Sequence, residues 1–412
     1  MPALTSRTFL YHISRNLYCT LTSLLVLVIY YGINTYNLRP YNTNESKVEV
    51  GTSVVEIKSD AIPELHYILL WGDPDQAPFS HFGEGRSVFE EHNCSWTNCY
   101  VTSDRNHLPD YTQFKAVIFY GPSLDDLVSR SQLPRRRSPH QLYVYLSLES
   151  AANYPVCTER WNGYFNLTWT YRLDSDLVWR YYEFQNASGF DIAPSASVCW
   201  QENKANYRDE DLAEIVRKKR KAAAWFVSNC DTTSMREELG GQIRQNLRNY
   251  DLDIDIYGDC GSLLCPVSAM DICLMKLERE YYFYMAFENA LSDDYVTEKV
   301  VHALNHRTVP IVFGGANYSR FLPPGSYLDA REMGARRTAQ RIAELIRRPN
   351  EYIQLFNWRH YYRVRAIAPG IQACHLCAAI NKHPIPRNTT IQFRRWWTPL
   401  TSCRDVIIAN LH

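Results

Sequence analysis

The feature that most constrains the fold is a series of short apolar runs without polar alternation. The runs are rich in Val, Ile, Tyr and Phe, each is followed by Gly, Asn, Ser or an acid, and they span residues 66–72, 115–121, 142–150, 222–229, 254–258, 281–289 and 308–315. Continuous apolar character is typical of strands buried on both faces, as in parallel sheets. Helical patterns stand between the runs, for example at 235–247, 296–305 and 338–348. This succession predicts an α/β chain with open parallel sheets.

The apolar runs fall into two groups, which predict two domains. The early group ends near residue 150 and the late group begins near residue 222. We expect two doubly wound domains that join near residues 205–220, within a charged span. The basic cluster at 217–221 is interpreted as a solvated helix end, since a nucleic-acid role does not suit a segment beyond a membrane.

The N-terminus predicts a membrane anchor. No charged residue lies between Arg15 and Arg39, and the window is long enough to cross a bilayer. Arg7 and Arg15 precede it without an acid, which by the positive-inside rule leaves the N-terminus in the cytosol. We expect a tail at 1–15, a single transmembrane helix at 16–38 and a stem at 39–62. A cleaved signal peptide is the alternative, but no small-residue cleavage site follows.

Two further features favour the secretory pathway for the remaining chain. Twelve cysteines fit an oxidising compartment better than the cytosol. Candidate N-glycosylation acceptors occur at Asn44, Asn93, Asn166, Asn186, Asn317 and Asn388. Basic and acidic residues balance at 44 each, so the net charge indicates no partner.

Polar residues that end the buried runs are the candidate site residues, because ligands of open α/β sheets bind outside the carboxyl ends of strands. These residues are Glu149, Ser228, Asn229, Gly258, Glu288 and Asn289. The sequence contains no G-x-G-x-x-G and no P-loop motif, which excludes the commonest dinucleotide and nucleotide sites.

Two cations near predicted helix starts suit a pyrophosphate. Thr297 is a candidate N-cap, which places Glu298 and Lys299 in the first helical turn, and Arg236 opens another helix. A departing diphosphate gains charge that such cations stabilise, so a sugar nucleotide is the predicted ligand. Glu149 is then a candidate general base. Taken singly, each of these residues also has an ordinary explanation as a cap, a salt-bridge partner or a surface charge.

Longer stretches of this sequence resemble the α1,3-fucosyltransferase family, glycosyltransferase family 10, and in particular an invertebrate-like Golgi member. FYMAFENALSDDYVTEKVVHAL, followed by VPIVFGGANYSRFLPP, carries the resemblance. It extends through LSLES, FNLTWTYRLDSD, WFVSNC, IDIYG and the C-terminal CHLC. The resemblance implies a GT-B type fold of two Rossmann-like domains facing a cleft. It implies an acceptor-side domain at 63–205, a GDP-fucose-binding domain at 206–365 and a C-terminal segment at 366–412.

The resemblance also implies roles for individual residues. Glu149 matches the catalytic base, while Arg236 and Lys299 match residues that hold the diphosphate. Donor-binding positions are matched by Tyr171, Val227, Ser228, Asn229, Tyr284, Asn289, Tyr295 and Glu298. In the loop after the first strand, Trp71 and Gln76 are candidate acceptor contacts. Family members act in the Golgi as single-pass type II membrane proteins, transfer L-fucose from GDP-fucose to N-acetylglucosamine of glycoprotein glycans, and require no cofactor or metal.

The resemblance also bears on the disulfides and on the loop after Glu149. The resemblance implies disulfides that join Cys94 to Cys374 and Cys99 to Cys377, and the sequence leaves the partners of the other lumenal cysteines unassigned. Where many relatives have Ser-Pro after the base, this chain has Ser150-Ala151-Ala152, so the acceptor identity stays open between the innermost N-acetylglucosamine of N-glycans and an outer lactosamine-type unit.

Two other functions remain open. The first is a metal-dependent glycosyltransferase with another donor, which would use an Asp-x-Asp pair such as Asp174 and Asp176. The second is a catalytically silent lumenal lectin or scaffold with the same fold. A protein that only binds has no need of both a base and cations for a leaving group.

Overall fold

The described residues form strands and helices that alternate through most of the chain. The structure is a computed structural model that describes residues 64–201, 210–382, 392–398 and 403. The strands are β1 (His66–Leu70), β2 (Cys99–Thr102), β3 (Ala116–Tyr120), β4 (Leu142–Ser147), β5 (Leu167–Thr170), β6 (Leu177–Val178), β7 (Tyr182–Asn186), β8 (Asp191–Ala193), β9 (Lys221–Phe226), β10 (Ile254–Tyr257), β11 (Tyr281–Phe287), β12 (Val309–Phe313), β13 (Leu328–Asp329) and β14 (Tyr362–Ala366). The α-helices are α1 (Ser87–Glu91), α2 (Leu124–Ser129), α3 (Glu210–Lys218), α4 (Arg236–Leu247), α5 (Met270–Glu280), α6 (Lys299–Asn305), α7 (Ala330–Arg347), α8 (Pro349–Gln354), α9 (Gln372–Asn381) and α10 (Phe393–Trp397).

These strands build two parallel sheets, as the apolar runs predict. The first has the order β2-β1-β3-β4-β5-β6 and the second has the order β10-β9-β11-β12-β13. All seven residues of β11 are buried, and β9 and β12 pair with it in parallel on its two sides. A strand with neighbours on both edges and helices over both faces has no solvated side, which explains its unbroken apolar sequence. The α/β class is confirmed.

A third, small sheet is the part of the fold that the apolar runs do not predict. It has the order β14-β7-β8 and is antiparallel. Its strands carry polar residues in alternation with apolar ones, because one face packs on the core while the other is solvated. β14 follows the second parallel sheet and β7 follows the first, so this sheet ties the two halves of the chain together.

Two helix boundaries differ from their predicted positions. α6 begins at Lys299, one residue later than a cap at Thr297 predicts, because Thr297 directs its backbone N–H and hydroxyl to the Glu288 carboxylate, at 2.9 and 3.1 Å, and does not cap the helix. α7 begins at Ala330, earlier than predicted, where the Asp329 side chain accepts hydrogen bonds from the first turn. Gly334, with a φ of +70° and a ψ of 167°, interrupts this helix before the predicted stretch at 338–348.

The basic cluster at 217–221 is not uniformly solvated, so that interpretation is wrong for Lys219. This side chain is 1% exposed and donates to the carbonyls of Leu277 and Tyr281, at 3.0 and 2.6 Å, and to the Thr308 hydroxyl at 3.3 Å. Burial lowers the pKa of Lys219 to about 7. The residue therefore links α5, β11 and the start of β12 from inside the protein.

Disulfides fasten the C-terminal part of the chain to the first sheet. Cys94 joins Cys374 and Cys99 joins Cys377, the two pairs that the resemblance implies. Three pairs that the sequence left unassigned are Cys157–Cys403, Cys230–Cys260 and Cys265–Cys273.

The predicted anchor and stem, residues 16–38 and 39–62, lie outside the described residues. Among the helices that are described, none combines the length and the hydropathy needed to span a bilayer. The domain boundaries named above stay a prediction.

The candidate glycosylation sites differ in their surroundings. Asn93 and Asn317 are exposed, and Asn186 is half-buried. The Asn166 side-chain oxygen accepts from the backbone of Tyr143 at 2.9 Å and from Arg137, so its amide group is held against the first sheet. Asn44 and Asn388 lie outside the described residues.

The paired disulfides at α9 predict a cooperative loss of stability. Removing one pair by Cys94→Ala with Cys374→Ala leaves a bridge three to five residues away that still closes the long loop. We expect this variant to lose roughly 2 to 3 kcal/mol of unfolding free energy, and the variant lacking both pairs to lose at least about twice as much. Urea unfolding of the full chain under non-reducing conditions measures both values. Equal losses in the two variants would contradict this account.

Candidate active site

The candidate site lies where loops at the carboxyl ends of the two parallel sheets meet. The hydroxyl of Tyr295, in the loop after β11 of the second sheet, donates at 3.4 Å to the carboxylate of Glu149, in the loop after β4 of the first sheet. The Thr233 hydroxyl donates to the Asn153 side-chain oxygen at 2.6 Å. These contacts bring residues of distant sequence position together, as expected for ligand sites of α/β folds.

Glu149 stands two residues beyond β4 in a half-buried position. Burial raises the pKa of its carboxyl group, while the charge of Lys299 and the hydrogen bond from Tyr295 work in the opposite direction. The Ser147 hydroxyl donates to the Glu149 carbonyl at 2.9 Å and fixes the backbone there. A carboxylate with a raised pKa at the meeting point of two sheets has the properties of a general base.

A buried carboxylate organises the segment after β11. Glu288 is fully buried, and its two oxygens accept from Thr297 and from the Lys299 ammonium, the latter at 2.9 Å. The Thr297 hydroxyl also lies 2.7 Å from the Lys299 nitrogen. Glu288 therefore fixes both the loop between β11 and α6 and the position of the cation that begins α6.

Lys299 has two carboxylate neighbours of different character. Glu288 is inaccessible, whereas the Glu298 side chain, 3.6 Å from the Lys299 nitrogen, is about half exposed. Burial opposes the charge of Lys299, but the two carboxylates outweigh it and raise the pKa of its ammonium group. The cation is thus held charged while it keeps 20% of its side chain accessible.

Arg236 begins α4 beneath the same loops. Its guanidinium is 4% exposed and donates to the carbonyls of Phe287 and Asn229, at 2.8 and 2.9 Å. Its Nε is buried without a hydrogen-bond partner. Burial lowers the pKa of Arg236, and the charge of Glu288 opposes this. Arg236 therefore ties the ends of β9 and β11 together and retains an unused donor.

The loop after β9 holds three of the predicted donor-binding residues. Val227 is buried and donates its N–H to the Tyr257 carbonyl at 2.8 Å, while Ser228 and Asn229 are exposed. Gly258 follows β10 with a φ of +97°, and a Cβ atom there would lie 2.6 Å from the Val227 carbonyl. Only glycine allows the two loops to approach so closely.

A disulfide joins these same two loops. Cys230 follows Asn229 directly, and its partner Cys260 lies two residues after Gly258. The sequence placed Cys230 within a family motif but offered no partner for it. A covalent link at this point holds the exposed Ser228–Cys230 segment over the end of the second sheet.

The remaining predicted donor-site residues are mostly buried. Tyr284, Tyr295 and Tyr171 are 1 to 3% exposed, and burial raises the pKa of Tyr171 to about 12. The Tyr171 hydroxyl lies 3.0 Å from the Ser292 hydroxyl and accepts from the Ala151 backbone at 2.9 Å. The side-chain oxygen of Asn289 is buried without a hydrogen-bond partner. Tyr171 therefore connects the loop after Glu149 to the loop after β11.

The two candidate acceptor contacts occupy different surroundings. Trp71 is 3% exposed, its indole N–H donates to the Gln132 carbonyl at 3.0 Å, and the Arg105 guanidinium covers its ring at 3.9 Å. Gln76 is exposed in the loop after β1. A direct role of either residue stays a prediction.

The acids considered for a metal site make structural contacts. Asp176 accepts from the backbone and the hydroxyl of Thr168, both at 2.8 Å, and Asp174 pairs with Arg172 at 2.9 Å. Within the part of the chain that the structure describes, no group of three or more His, Cys, Asp or Glu side chains has a metal-binding arrangement.

Several residues of the site act through others, and the sequence assigns them no role. The sequence marks Glu288 only as the end of a strand, and it does not single out Asn153, Thr233 or Ser292. Glu288 fixes the loop that follows it, whereas Asn153, Thr233 and Ser292 connect loops that are far apart in the sequence. Only for Glu288 was a signal present, since an acid that ends a wholly apolar strand requires a partner.

Comparison with known proteins identifies the family of this chain. The family model described as "Fucosyltransferase, N-terminal" matches residues 63–182, and "Glycosyltransferase family 10 (fucosyltransferase) C-term" matches residues 216–396. α-(1,3)-Fucosyltransferase C of Drosophila melanogaster is 35% identical over 358 residues, which is 83% of this chain and 80% of that protein. The chain belongs to glycosyltransferase family 10, the fucosyltransferases. It is a fucosyltransferase enzyme.

Two further similarities concern a vertebrate relative and a solved structure. 4-Galactosyl-N-acetylglucosaminide 3-α-L-fucosyltransferase FUT6 of Pan troglodytes is 29% identical over 393 residues, 92% of this chain and 96% of that protein. A crystal structure of α1,3-fucosyltransferase with GDP-fucose matches 82% of this chain and 96% of its own, with 13% identity and a TM-score of 0.46. The family assignment therefore rests on the sequence matches.

The pair Glu288 and Lys299 predicts strong coupling in a double-mutant cycle. Glu288→Gln leaves the ammonium without its buried partner, and Lys299→Met leaves a buried carboxylate uncompensated. We expect each single change to cost about 3 kcal/mol of unfolding free energy, and the double variant to cost clearly less than the sum. Denaturant unfolding of the four proteins measures the coupling. Additive losses would show that the two groups do not stabilise each other.

Proposed function

We propose that this enzyme transfers L-fucose from GDP-β-L-fucose to the 3-hydroxyl of N-acetylglucosamine in glycoprotein glycans, with inversion at the anomeric carbon. The observation that carries this proposal is the approach of Glu149 to the Lys299 region through Tyr295. The proposed base thus lies within electrostatic reach of the cation that we propose for the leaving group. The name of the FUT6 relative, a 3-α-L-fucosyltransferase of N-acetylglucosaminides, supports the acceptor.

Glu149 is the proposed general base. Its carboxylate takes the proton of the acceptor hydroxyl as that oxygen forms a bond to the anomeric carbon of fucose. The bond from this carbon to the β-phosphate oxygen breaks in the same displacement, and GDP departs. Because the acceptor attacks the face opposite to GDP, a β-linked donor yields an α-linked product.

The charge on departing GDP is the proposed task of Lys299 and Arg236. Two cations on adjacent strand ends stabilise a diphosphate more in the transition state than in the bound donor, because the leaving oxygen gains charge. Lys299 has accessible surface for this contact, and the unpartnered Nε of Arg236 is a further donor. Donor-binding roles are proposed for Tyr171, Val227, Ser228, Asn229, Tyr284, Asn289, Tyr295 and Glu298, with Glu298 on a sugar hydroxyl.

The cellular setting forms part of the proposal. We infer a GT-B type fold, a type II anchor at 16–38 and residence in the Golgi membrane with the catalytic part in the lumen. The disulfides among the described residues fit the oxidising environment of that compartment. We propose no divalent metal, because Glu149 is the proposed base for the acceptor and two cations are proposed to stabilise the charge on GDP.

The first test is transfer by the full chain from GDP-fucose to a panel of N-glycan and lactosamine acceptors, with EDTA present. We expect fucose on the 3-hydroxyl of N-acetylglucosamine, and a loss of about 10²- to 10⁴-fold in kcat for Glu149→Gln, because this substitution keeps the shape and removes the base. Mass spectrometry and NMR of the product identify the linkage.

The outcomes of this test separate the alternatives. Activity that EDTA abolishes and a divalent ion restores would favour a metal-dependent transferase. Glycan binding without transfer by the wild type would favour a silent lectin. Undiminished transfer by Glu149→Gln would remove Glu149 from the role of base.

A second prediction concerns pH. Burial raises the pKa of Glu149, so kcat/KM should fall as the pH decreases through a value above that of an ordinary glutamate. The hydrogen bond from Tyr295 favours the ionised carboxylate, so Tyr295→Phe should raise this pKa further and move the acid limb to higher pH. Profiles of kcat/KM for the two proteins measure the shift. An acid limb that stays in place or moves to lower pH would contradict the assignment.

A further inference from the structure

A groove of about 390 Å³ lies at the carboxyl ends of β3 and β4, and one segment of its lining begins four residues after Glu149 in the chain. Its lining comes from two segments, residues 121–125, which follow β3 and include the start of α2, and residues 153–161 after β4. Leu124 and Trp161 contribute a buried apolar part, each 2% exposed. A groove of this volume with few polar groups is of the kind that binds small organic ligands.

The chain turns sharply between Glu149 and the groove. The backbone N–H groups of Asn153 and Tyr154 both donate to the Ser150 carbonyl, at 3.2 and 3.0 Å. The Trp397 indole N–H donates to the Tyr154 carbonyl at 3.0 Å and holds the end of this turn. The Tyr154 side chain remains 41% exposed, so its backbone is fixed while its ring is available.

Tyr120 relates the groove to the proposed base. It is the last residue of β3 and is followed directly by Gly121, which lines the groove. Burial raises the pKa of Tyr120, and the charge of Glu149 and the hydroxyl of Tyr154 contribute in the same direction. Both groups therefore lie within electrostatic reach of one side chain.

The groove also reaches the loops of the second sheet. Asn153 lines it, and the side-chain oxygen of Asn153 accepts from the Thr233 hydroxyl. Thr233 lies 3.2 Å from the Asn289 carbonyl, next to the proposed donor residues. One end of the groove thus meets the loops that carry the proposed donor residues.

The lining has the chemistry of a site for uncharged sugar. The ring of Tyr154 offers an apolar face to the C–H groups of a pyranose. Asp125 is exposed and is the charged side chain among the described residues of the lining. Its carboxylate accepts hydrogen bonds from sugar hydroxyls and repels another anion.

We propose that this groove binds an uncharged sugar residue of the acceptor next to the one that is fucosylated, and that Asp125 discriminates against acceptors that carry a carboxylate or sulfate there. This inference rests on the proposed function and names the class of its acceptor. It makes Tyr154 and Asp125 determinants of specificity, with no part in the chemical step.

The test uses the full chain, a neutral lactosamine-type glycan and the same glycan with a sulfate on the galactose next to the N-acetylglucosamine. Tyr154→Ala should raise KM for the neutral glycan about three- to tenfold with little change in kcat, and Tyr154→Phe should retain the wild-type KM. Asp125→Asn should raise kcat/KM for the sulfated glycan about fivefold relative to the neutral one. Asp126→Asn is the matched control, because Asp126 is exposed on the same helix but does not line the groove.

Calorimetric binding of both glycans in the presence of GDP separates this proposal from the proposed function. Glycan binding that depends on Tyr154, without any transfer of fucose, would support the sugar-binding role of the groove and contradict the proposed function. If Tyr154→Ala does not affect transfer, or if Asp125→Asn and Asp126→Asn have equal effects, the proposed role of the groove is wrong. The proposed function is then unaffected.

Discussion

The buried carboxylate of Glu288 is the interaction on which the site depends. A charge at the end of a wholly apolar strand is unfavourable unless it is paired and hydrogen-bonded, and here Thr297 and Lys299 supply both. This requirement fixes the course of the loop after β11 and the starting residue of α6. It also places a charged lysine, held by carboxylates, at the edge of the second sheet, where the proposed diphosphate would lie.

Other loops are connected to this one by polar contacts. Arg236 joins the ends of β9 and β11 through two backbone carbonyls, and Tyr171 joins the loop after Glu149 to Ser292. A buried donor or acceptor without a partner destabilises the folded protein. Such hydrogen bonds therefore favour one arrangement of the loops over others, and they also stabilise it. The proposed base and the proposed cations are therefore positioned by one connected set of hydrogen bonds rather than by independent loops.

The sequence predicted the strands that are marked by a continuous run of apolar residues. Seven apolar runs became parallel strands, because burial on both faces demands continuous apolar residues. The boundary of α6 was wrong because Thr297, a good N-cap by local rules, has a stronger acceptor in Glu288. The buried state of Lys219 was likewise hidden, since three oxygens from separate elements satisfy its ammonium group.

The sequence by itself determined the α/β class, the parallel sheets, the family and the residues that deserve a functional test. This was possible because the pattern of apolar residues, the polar residues at strand ends and the family motifs all involve residues that are close together in the sequence. Only the tertiary structure decided that Tyr295 reaches Glu149, that Cys230 pairs with Cys260, and that Tyr154 and Asp125 line one groove. These relations join residues from different loops, and their distances depend on how the strands are ordered and packed.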